Sequence, residues 1–329
     1  MTLLDVRELS VQLQTKSGFA TAVDRLSFTV DQGEILGIAG ESGSGKTMTA
    51  LTLLGLLPPH AKVSGSVKFN GQELVGIPSK EWQKIRGAQI AMVFQDPMTS
   101  LHPMLSIKVQ MTEHMQTHLG ISHQKALLEA EELLADVRIP DPKKALDSYA
   151  GQFSGGMRQR ICIAMALACK PELLLADEPS TALDVTVQAG ILSLLDRLRI
   201  ERQLSIIFIT HDLGVLSAIT DRLLVLYAGR ETESGKTATI LQNPRHPYTR
   251  GLLDSLPQPE SKEKTLKSIS GFPPELGKQP RGCAFANRCS FTQTQCRDIE
   301  LLPNFLSDGH KFICTIDPFD GQAAAETLL

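Results

Sequence analysis

The sequence predicts an α/β fold: a parallel sheet with an N-terminal antiparallel β subdomain, an inserted helical subdomain, and a loop-rich C-terminal extension with a cysteine cluster. Three observations predict it. Short apolar runs alternate with amphipathic stretches from "EILGIAG" to "DRLLVLYAG", the pattern of strands joined through helices. From about residue 97 to 165 that alternation stops, and apolar residues recur three and four apart. Beyond residue 240 proline and glycine become dense, and four of the six cysteines fall between Cys283 and Cys314.

The elements follow in order. "LLDVRELSVQL" and "AVDRLSFTV" alternate polar with apolar residues and read as antiparallel strands joined by a turn. "EILGIAG" is a short buried strand, and the helix after it runs from Lys46 to about Leu57, closed by Pro58 and Pro59. "SGSVKFNG" is a strand and turn, and "AQIAMVFQD" another apolar strand. The helical lobe takes in "HQKALLEAEELLADV". The strand pattern returns at "PELLLADEP"; "DVTVQAGILSLLDRLRIERQ" is an amphipathic helix, and "LSIIFITHD" and "DRLLVLYAG" are the next strands. A boundary near Thr239 to Pro244 divides the chain into domains 1–240 and 241–329. Past it lie "NPRHPYTRGLLDSLPQPE", a Lys/Glu-rich linker and the cysteines, with no second sheet expected; His246, Pro247 and Tyr248 read as a helix start packing this extension against the core.

Composition narrows the function. With 329 residues, 42% hydrophobic and 21% charged, the chain has the make-up of a soluble globular protein. Thirty-three Lys and Arg against 36 Asp and Glu leave no basic excess, so no nucleic-acid partner is expected. No apolar run approaches the ~18 residues that span a bilayer, and the longest, "ICIAMALAC", is flanked by Arg160 and Lys170. Asp5, Arg7 and Glu8 argue against a signal peptide. The expectation is a cytosolic chain whose membrane role comes through a partner. Cys162 and Cys169 read as core thiols, and Arg158 and Arg160 as residues of a solvated helix face or of salt bridges.

The chemistry begins at "GESGSGKT": Gly40, Glu41, Ser42, Gly43, Ser44, Gly45, Lys46 and Thr47. It fits G-x-x-x-x-G-K-[ST] between a strand and a helix, the context that gives the P-loop NTPase motif its meaning. The glycines let successive N–H groups turn inward, and the helix start adds its positive dipole end. Lys46 reaches β- and γ-phosphates, and the Thr47 hydroxyl suits Mg²⁺. At the end of "PELLLADEPS", Asp177 is placed to hold Mg²⁺ and Glu178 to polarise a water aimed at the γ-phosphate. The two motifs resemble those of P-loop NTPases, which implies a RecA-like sheet as the expected fold. His211, after "LSIIFITHD", has two readings at even weight: contact with the γ-phosphate and attacking water, or a structural histidine.

"FSGGMRQR", Phe153 to Arg160, opens another helix with Ser154 as its N-cap and Gly155 and Gly156 leaving N–H groups open. One chain has no use for two phosphate cradles on one nucleotide, so this one faces another subunit's ATP; the plainer reading is a flexible helix start. Together "GESGSGKT", "FSGGMRQR", "LLLADEPS" and "ITHD" resemble the Walker A, signature, Walker B and switch motifs of an ABC-transporter ATPase subunit, over roughly Leu3 to Gly235. The resemblance implies Gln95 of "VFQDP" as a residue touching Mg²⁺ and relaying contact with membrane subunits, and "TALD", Thr181 to Asp184, at a dimer interface. It implies Phe19 as the aromatic that stacks on adenine; without the family, Phe19 is an ordinary strand residue. Phe153 stands where Leu is usual in the signature, and "YAGQ" before it departs from the family run; the change keeps an apolar anchor and bears on helix packing.

Three features resemble the ATPase subunits of dipeptide and oligopeptide importers and their nickel-type relatives: "VFQDPMTSLHPM", with His102 where Asn is commoner, "NPRHPYTRGLLDSLP", and the spacing C-x5-C-x6-C-x17-C at Cys283, Cys289, Cys296 and Cys314. Four thiolates on a small loop-rich module can hold zinc or a [4Fe–4S] cluster, and the spacing leaves both, and no metal at all, open. The resemblance implies [4Fe–4S] with a structural or regulatory role. It further implies an ATP- and Mg²⁺-dependent ATPase at the cytoplasmic face of the inner membrane. Its partners would be a second homologous ATPase subunit, two permease subunits and an extracytoplasmic solute-binding protein. The alternatives are a soluble ABC-type ATPase uncoupled from transport, which usually shows tandem cassettes or coiled-coil insertions absent here, and an importer of nickel or another small solute.

Overall fold

The structure, a computed structural model, describes residues 1–16, 18–179, 184–256, 268–298 and 301–319. Thr181 to Leu183 of "TALD", the Lys/Glu-rich linker at 257–267 and the end of the chain from 320 lie outside the described residues. The chain divides into two compact units. The loop unit, named for residues 40–47, combines Thr2–Val30, Ile35–Val75 and Phe208–Leu329; the helical unit combines Met1, Asp31–Glu34 and Gly76–Ile207.

The loop unit opens with β1 (Thr2–Thr15) and β2 (Gly18–Asp31). Their alternation buries Leu4, Val6, Leu9 and Val11 on one strand and Leu26, Phe28 and Val30 on the other. Then come β3 (Ile35–Ala39), α1 (Lys46–Leu53), β4 (Lys62–Phe69) and β5 (Gln72–Glu73). β4 runs antiparallel to β1, Leu4 opposite Phe69 and Val11 opposite Val63, in the order β2-β1-β4-β5. The register slips between Arg7 and Ser10, and there Gly65 lies so close that a Cβ would meet the Glu8 carbonyl oxygen at 2.4 Å. α1 stops four residues before the expected Leu57. Gly55 N–H bonds to Thr52 O and Leu56 N–H to Leu51 O, with Gly55 at φ 58°, so a Schellman-type turn ends the helix ahead of the prolines.

The helical unit contains α2 (Ser79–Ile85), β6 (Ile90–Val93), α3 (Pro97–Ser100), α4 (Ile107–Leu119), α5 (His123–Asp136), α6 (Pro142–Leu146), α7 (Gly155–Leu167), β7 (Leu173–Asp177) and α8 (Val185–Arg202). β6 and β7 are parallel, Ile90 opposite Leu173 and Val93 opposite Ala176. Local signals set the helix starts: Asp96, Ser122, Asp141, Ser154 and Asp184 each accept a backbone N–H of the turn that follows. Met111, Met115, Ala126, Ala130, Leu134, Ile161 and Ala164 are fully buried, which realises the three-and-four spacing of the sequence. Arg158 and Arg160 correct an expectation: Arg158 Nε donates to Ala150 O at 2.9 Å and Arg160 Nη1 to Val137 O at 3.0 Å. They tie α7 to preceding turns by satisfying carbonyls. β8 (Ser205–Thr210) begins here, Ser205 N–H bonding Glu172 O and Ile206 N–H bonding Glu34 O.

The rest of the loop unit is α9 (Leu213–Ile219), β9 (Arg222–Tyr227), β10 (Arg230–Lys236), α10 (Thr237–Gln242), α11 (Pro247–Asp254), α12 (Gln295–Asp298), β11 (Asn304–Phe305) and β12 (Lys311–Phe312). β3 runs parallel to β9, while β10, β12 and β11 follow antiparallel, in the order β11-β12-β10-β9-β3. The last two strands were not expected from the sequence. Glu233, wholly buried on β10, accepts the backbone N–H groups of Arg245 at 2.7 Å and His246 at 3.1 Å and pairs with His310 Nε2 at 2.6 Å. It joins the start of α11 to the turn between β11 and β12. Glu233→Ala leaves buried donors unpaired and is expected to destabilise the chain by ~3 kcal/mol, read as a lower urea midpoint with an unchanged slope.

Candidate functional site

β3 delivers the chain into the loop at Ala39, buried at every one of its residues. Gly40 follows at φ 150°, where a Cβ would lie 2.3 Å from Leu226 O and 2.6 Å from Ser44 Oγ. Gly45, at φ 100°, precedes α1 and offers its first turn no side-chain cap. Lys46 is 7% exposed and folds back over the curl, its Nζ donating to Gly40 O at 2.6 Å and Glu41 O at 3.0 Å. Ser44 Oγ is buried with no hydrogen-bond partner, while Ser42, Gly43 and Thr47 are exposed. A buried cation and an orphaned hydroxyl at a helix start fit a polyphosphate.

Phe19 lies on β2, half exposed, with Lys62 Nζ 3.9 Å from its ring centroid. Three residues on, Ala22 O lies 3.0 Å from where a Cβ on Gly45 would sit, so the same strand backs the loop. His211 is exposed after β8. The next residue, Asp212, caps α9 by accepting from Gly214 N–H at 2.8 Å.

In the helical unit Asp177 ends β7 and is 5% exposed. Glu178 leaves the strand at φ 48°, a left-handed conformation that costs a side-chain-bearing residue ~1 kcal/mol or more. Its carboxylate oxygen Oε2 accepts from Gln95 Nε2 at 3.0 Å, so the structure brings together two residues that lie far apart in the sequence. Carboxylate, amide and hydroxyl oxygens, as on Asp177, Gln95 and Thr47, are the hard donors that suit Mg²⁺.

Phe153, 7% exposed, is an apolar anchor for the start of α7, and Ser154 Oγ accepts from Met157 N–H. Gly156 packs against α8, where a Cβ would meet Val187 Cγ1 at 2.7 Å. Asp184 caps that helix by accepting Val187 N–H at 2.9 Å. Ser154, Gly155, Gly156 and Asp184 are thus brought to adjoining helix starts, with Ser154, Gly155 and Asp184 exposed.

The expected metal centre is corrected. Cys283, Cys289, Cys296 and Cys314 border one cavity, but it holds about 10 Å³, the room of a single water, not of a [4Fe–4S] cube. Among the described residues no group of three or more His, Cys, Asp or Glu is arranged to hold a metal ion, iron–sulfur or zinc. Sulfurs face other partners: Cys283 Sγ lies 4.0 Å from His246 Nε2, and Cys296 Sγ 3.5 Å from Thr315 Oγ1. Burial pushes the Cys283 thiol up to about 11 and raises Cys289 and Cys314 as well, which disfavours the thiolates that metals need. Cys162 and Cys169 are core thiols as expected, raised by burial to about 12 and about 11.

Sequence reasoning missed two residues at the loop. Tyr248 reads as packing within "HPYT", and Arg288 carries no local signal, yet both bond Glu41. His246 caps α11 as the sequence suggests: burial holds it neutral, down to about 3, and its Nδ1 accepts Tyr248 N–H at 3.0 Å.

A family model described as ABC transporter matches residues 23–181, and one described as Oligopeptide/dipeptide transporter, C-terminal region matches residues 232–296. The oligopeptide transport ATP-binding protein OppD of Haemophilus influenzae is 50% identical, over 92% of this chain and 94% of its own length. The dipeptide transport ATP-binding protein DppD of Escherichia coli is 44% identical, over 95% of this chain and 96% of its own length. Among solved structures, the dimeric post-hydrolysis state of the ATP-binding cassette MJ0796 bound to ADP and Pi aligns with TM-score 0.64 at 26% identity, covering 71% of this chain and 98% of that one.

Proposed function

This chain belongs to the ABC transporter ATP-binding family, and we propose from that premise that it is the ATP-hydrolysing subunit of a membrane importer, coupling ATP binding and hydrolysis to uptake of di- or oligopeptides. The observation that carries the reading is Lys46 buried over the curl of residues 40–47 in a chain half identical to an oligopeptide-transport subunit along nearly its whole length. Residues 1–240 would form the ATPase domain and 241–329 the extension.

The chemistry is phosphoryl transfer to water, in which positioning and charge stabilisation dominate. Gly40 to Gly45 and Lys46 bind the β- and γ-phosphates, and Phe19 stacks on adenine. Thr47, Gln95 and Asp177 would hold Mg²⁺, which would spread the charge developing on the phosphoryl oxygens. Glu178 takes the proton of the attacking water, oriented by the Gln95 amide that bonds it. His211 supports the γ-phosphate. Ser154, Gly155, Gly156 and Asp184 complete the site of a second, homologous ATPase subunit. Two permease subunits would dock on the pair at the cytoplasmic face of the membrane, fed by an extracytoplasmic solute-binding protein. No helix among the described residues is long and apolar enough to cross a membrane.

The test is to purify the chain with the membrane subunits that accompany it, reconstitute them in liposomes with their binding protein, and measure uptake of labelled peptides. ATP-dependent uptake is the expected result. An active ATPase that associates with no membrane subunit, or a complex that moves nickel and no peptide, contradicts it.

A further inference from the structure

Glu41 is the second residue of the phosphate loop, and the chain beyond residue 240 holds it from two sides. Its backbone N–H donates to the Tyr248 hydroxyl at 2.8 Å. Its carboxylate takes a two-pronged grip from Arg288, Nη1 to Oε2 at 2.7 Å and Nη2 to Oε1 at 3.2 Å. On the inner side its carbonyl accepts Lys46 Nζ at 3.0 Å. One residue of the loop is therefore fixed at its amide, its carbonyl and its side chain.

The groups that grip it are fixed in turn. The Arg288 side chain is 6% exposed; Nε donates to Ser270 O at 2.9 Å, Nη2 to Ile269 O at 3.3 Å and Nη1 to the Tyr227 hydroxyl at 3.2 Å. Tyr248 is fully buried, and its ring packs 4.6 Å from Tyr227 and 5.3 Å from Phe285, centroid to centroid. The same region also reaches the strand behind the loop, where Gln279 Nε2 donates to Thr21 O at 2.8 Å. A forked guanidinium–carboxylate pair is directional and resists displacement when shielded from water. The charge matters as much as the geometry. A carboxylate in a loop built for phosphates repels them unless it is neutralised, and the fork both neutralises Glu41 and fixes where it points.

We propose that Arg288 and Tyr248 are positioning residues for the phosphate loop, so that the C-terminal region sets how tightly this chain holds ATP. This role rests on the reading of residues 40–47 as the ATP cradle and extends it to two residues beyond residue 240, outside the ATP-binding motifs. Neither side chain touches the nucleotide in this scheme; both act through Glu41.

The test is calorimetric titration of ATP with Mg²⁺ into the full chain. Arg288→Gln is expected to weaken binding ~10-fold, with Arg288→Lys between it and wild type because one prong and the charge remain. In a Glu41→Gln background, Arg288→Gln is expected to add less than a twofold further loss, since its partner carboxylate is already gone. In the purified complex the KM for ATP rises by the same factor, while kcat at saturating ATP stays within about twofold. Unchanged ATP affinity in Arg288→Gln, an equal loss with and without the Glu41 carboxylate, or a fall in kcat with KM unmoved overturns the proposal. Should Arg288→Gln fail to fold by circular dichroism, Tyr248→Phe removes a single hydroxyl from an intact ring and is expected to weaken ATP ~3-fold; no change there overturns it equally. A wild-type chain that binds no ATP would instead refute the cradle itself, and the clamp with it.

Discussion

Glu178→Gln is expected to lower steady-state ATP turnover of the assembled transporter by ~10²–10⁴-fold, the range a positioned general base supplies. The substitution removes basicity and little else. Glutamine has the same length, and its carbonyl oxygen still accepts the Gln95 amide that bonds Glu178 at 3.0 Å. The left-handed backbone at Glu178 is retained, and Lys46 with its loop is untouched. ATP affinity is therefore expected to stay within about twofold of wild type, a signature of an interaction that acts in the transition state only. Rapid filtration would show bound, uncleaved ATP in the variant. Turnover that survives the change means that the base is another residue.

Much of this was legible because the signals are local. Ser154, Asp184 and Asp212 each announce a helix and then cap it. The run "PELLLADEP" is apolar because both faces of β7 are covered, and the strand ends at Asp177 as expected. The turn of residues 40–47 between β3 and α1 was legible for the same reason: spacing, glycines and lysine lie within eight residues. What stayed hidden depends on pairing across distance. Arg288 meets Glu41 over 247 residues, and nothing in "ANRC" says which carboxylate its arginine will find. β11 and β12 are two residues each, too short for alternation to register, and they exist because β10 offers an edge. The end of α1 escaped because Gly55 stops the helix before the prolines can. The cysteines failed for a different reason. Their spacing brings four thiols to the border of one small cavity, but converging on a cavity is not converging on a metal.

Hydrolysis by this chain should depend on a second polypeptide. Lys46 lies buried over the curl of residues 40–47, while Ser154, Gly155 and Asp184 are exposed at adjoining helix starts. On the proposed reading a single nucleotide needs only one loop of the Lys46 kind, and the second set would serve another chain's γ-phosphate; MJ0796, a cassette of similar fold, is seen as a dimer. Without those facing donors, transition-state charge goes unstabilised, a loss worth ~10²-fold or more in rate. The decisive measurement is ATP turnover per chain over a range of chain concentrations, alone and with the homologous subunit, with sedimentation of the same samples. The expected result is a monomer that binds ATP and barely cleaves it, with turnover rising at least ~100-fold as paired species form. Full turnover in a sample that sediments only as monomer would contradict it.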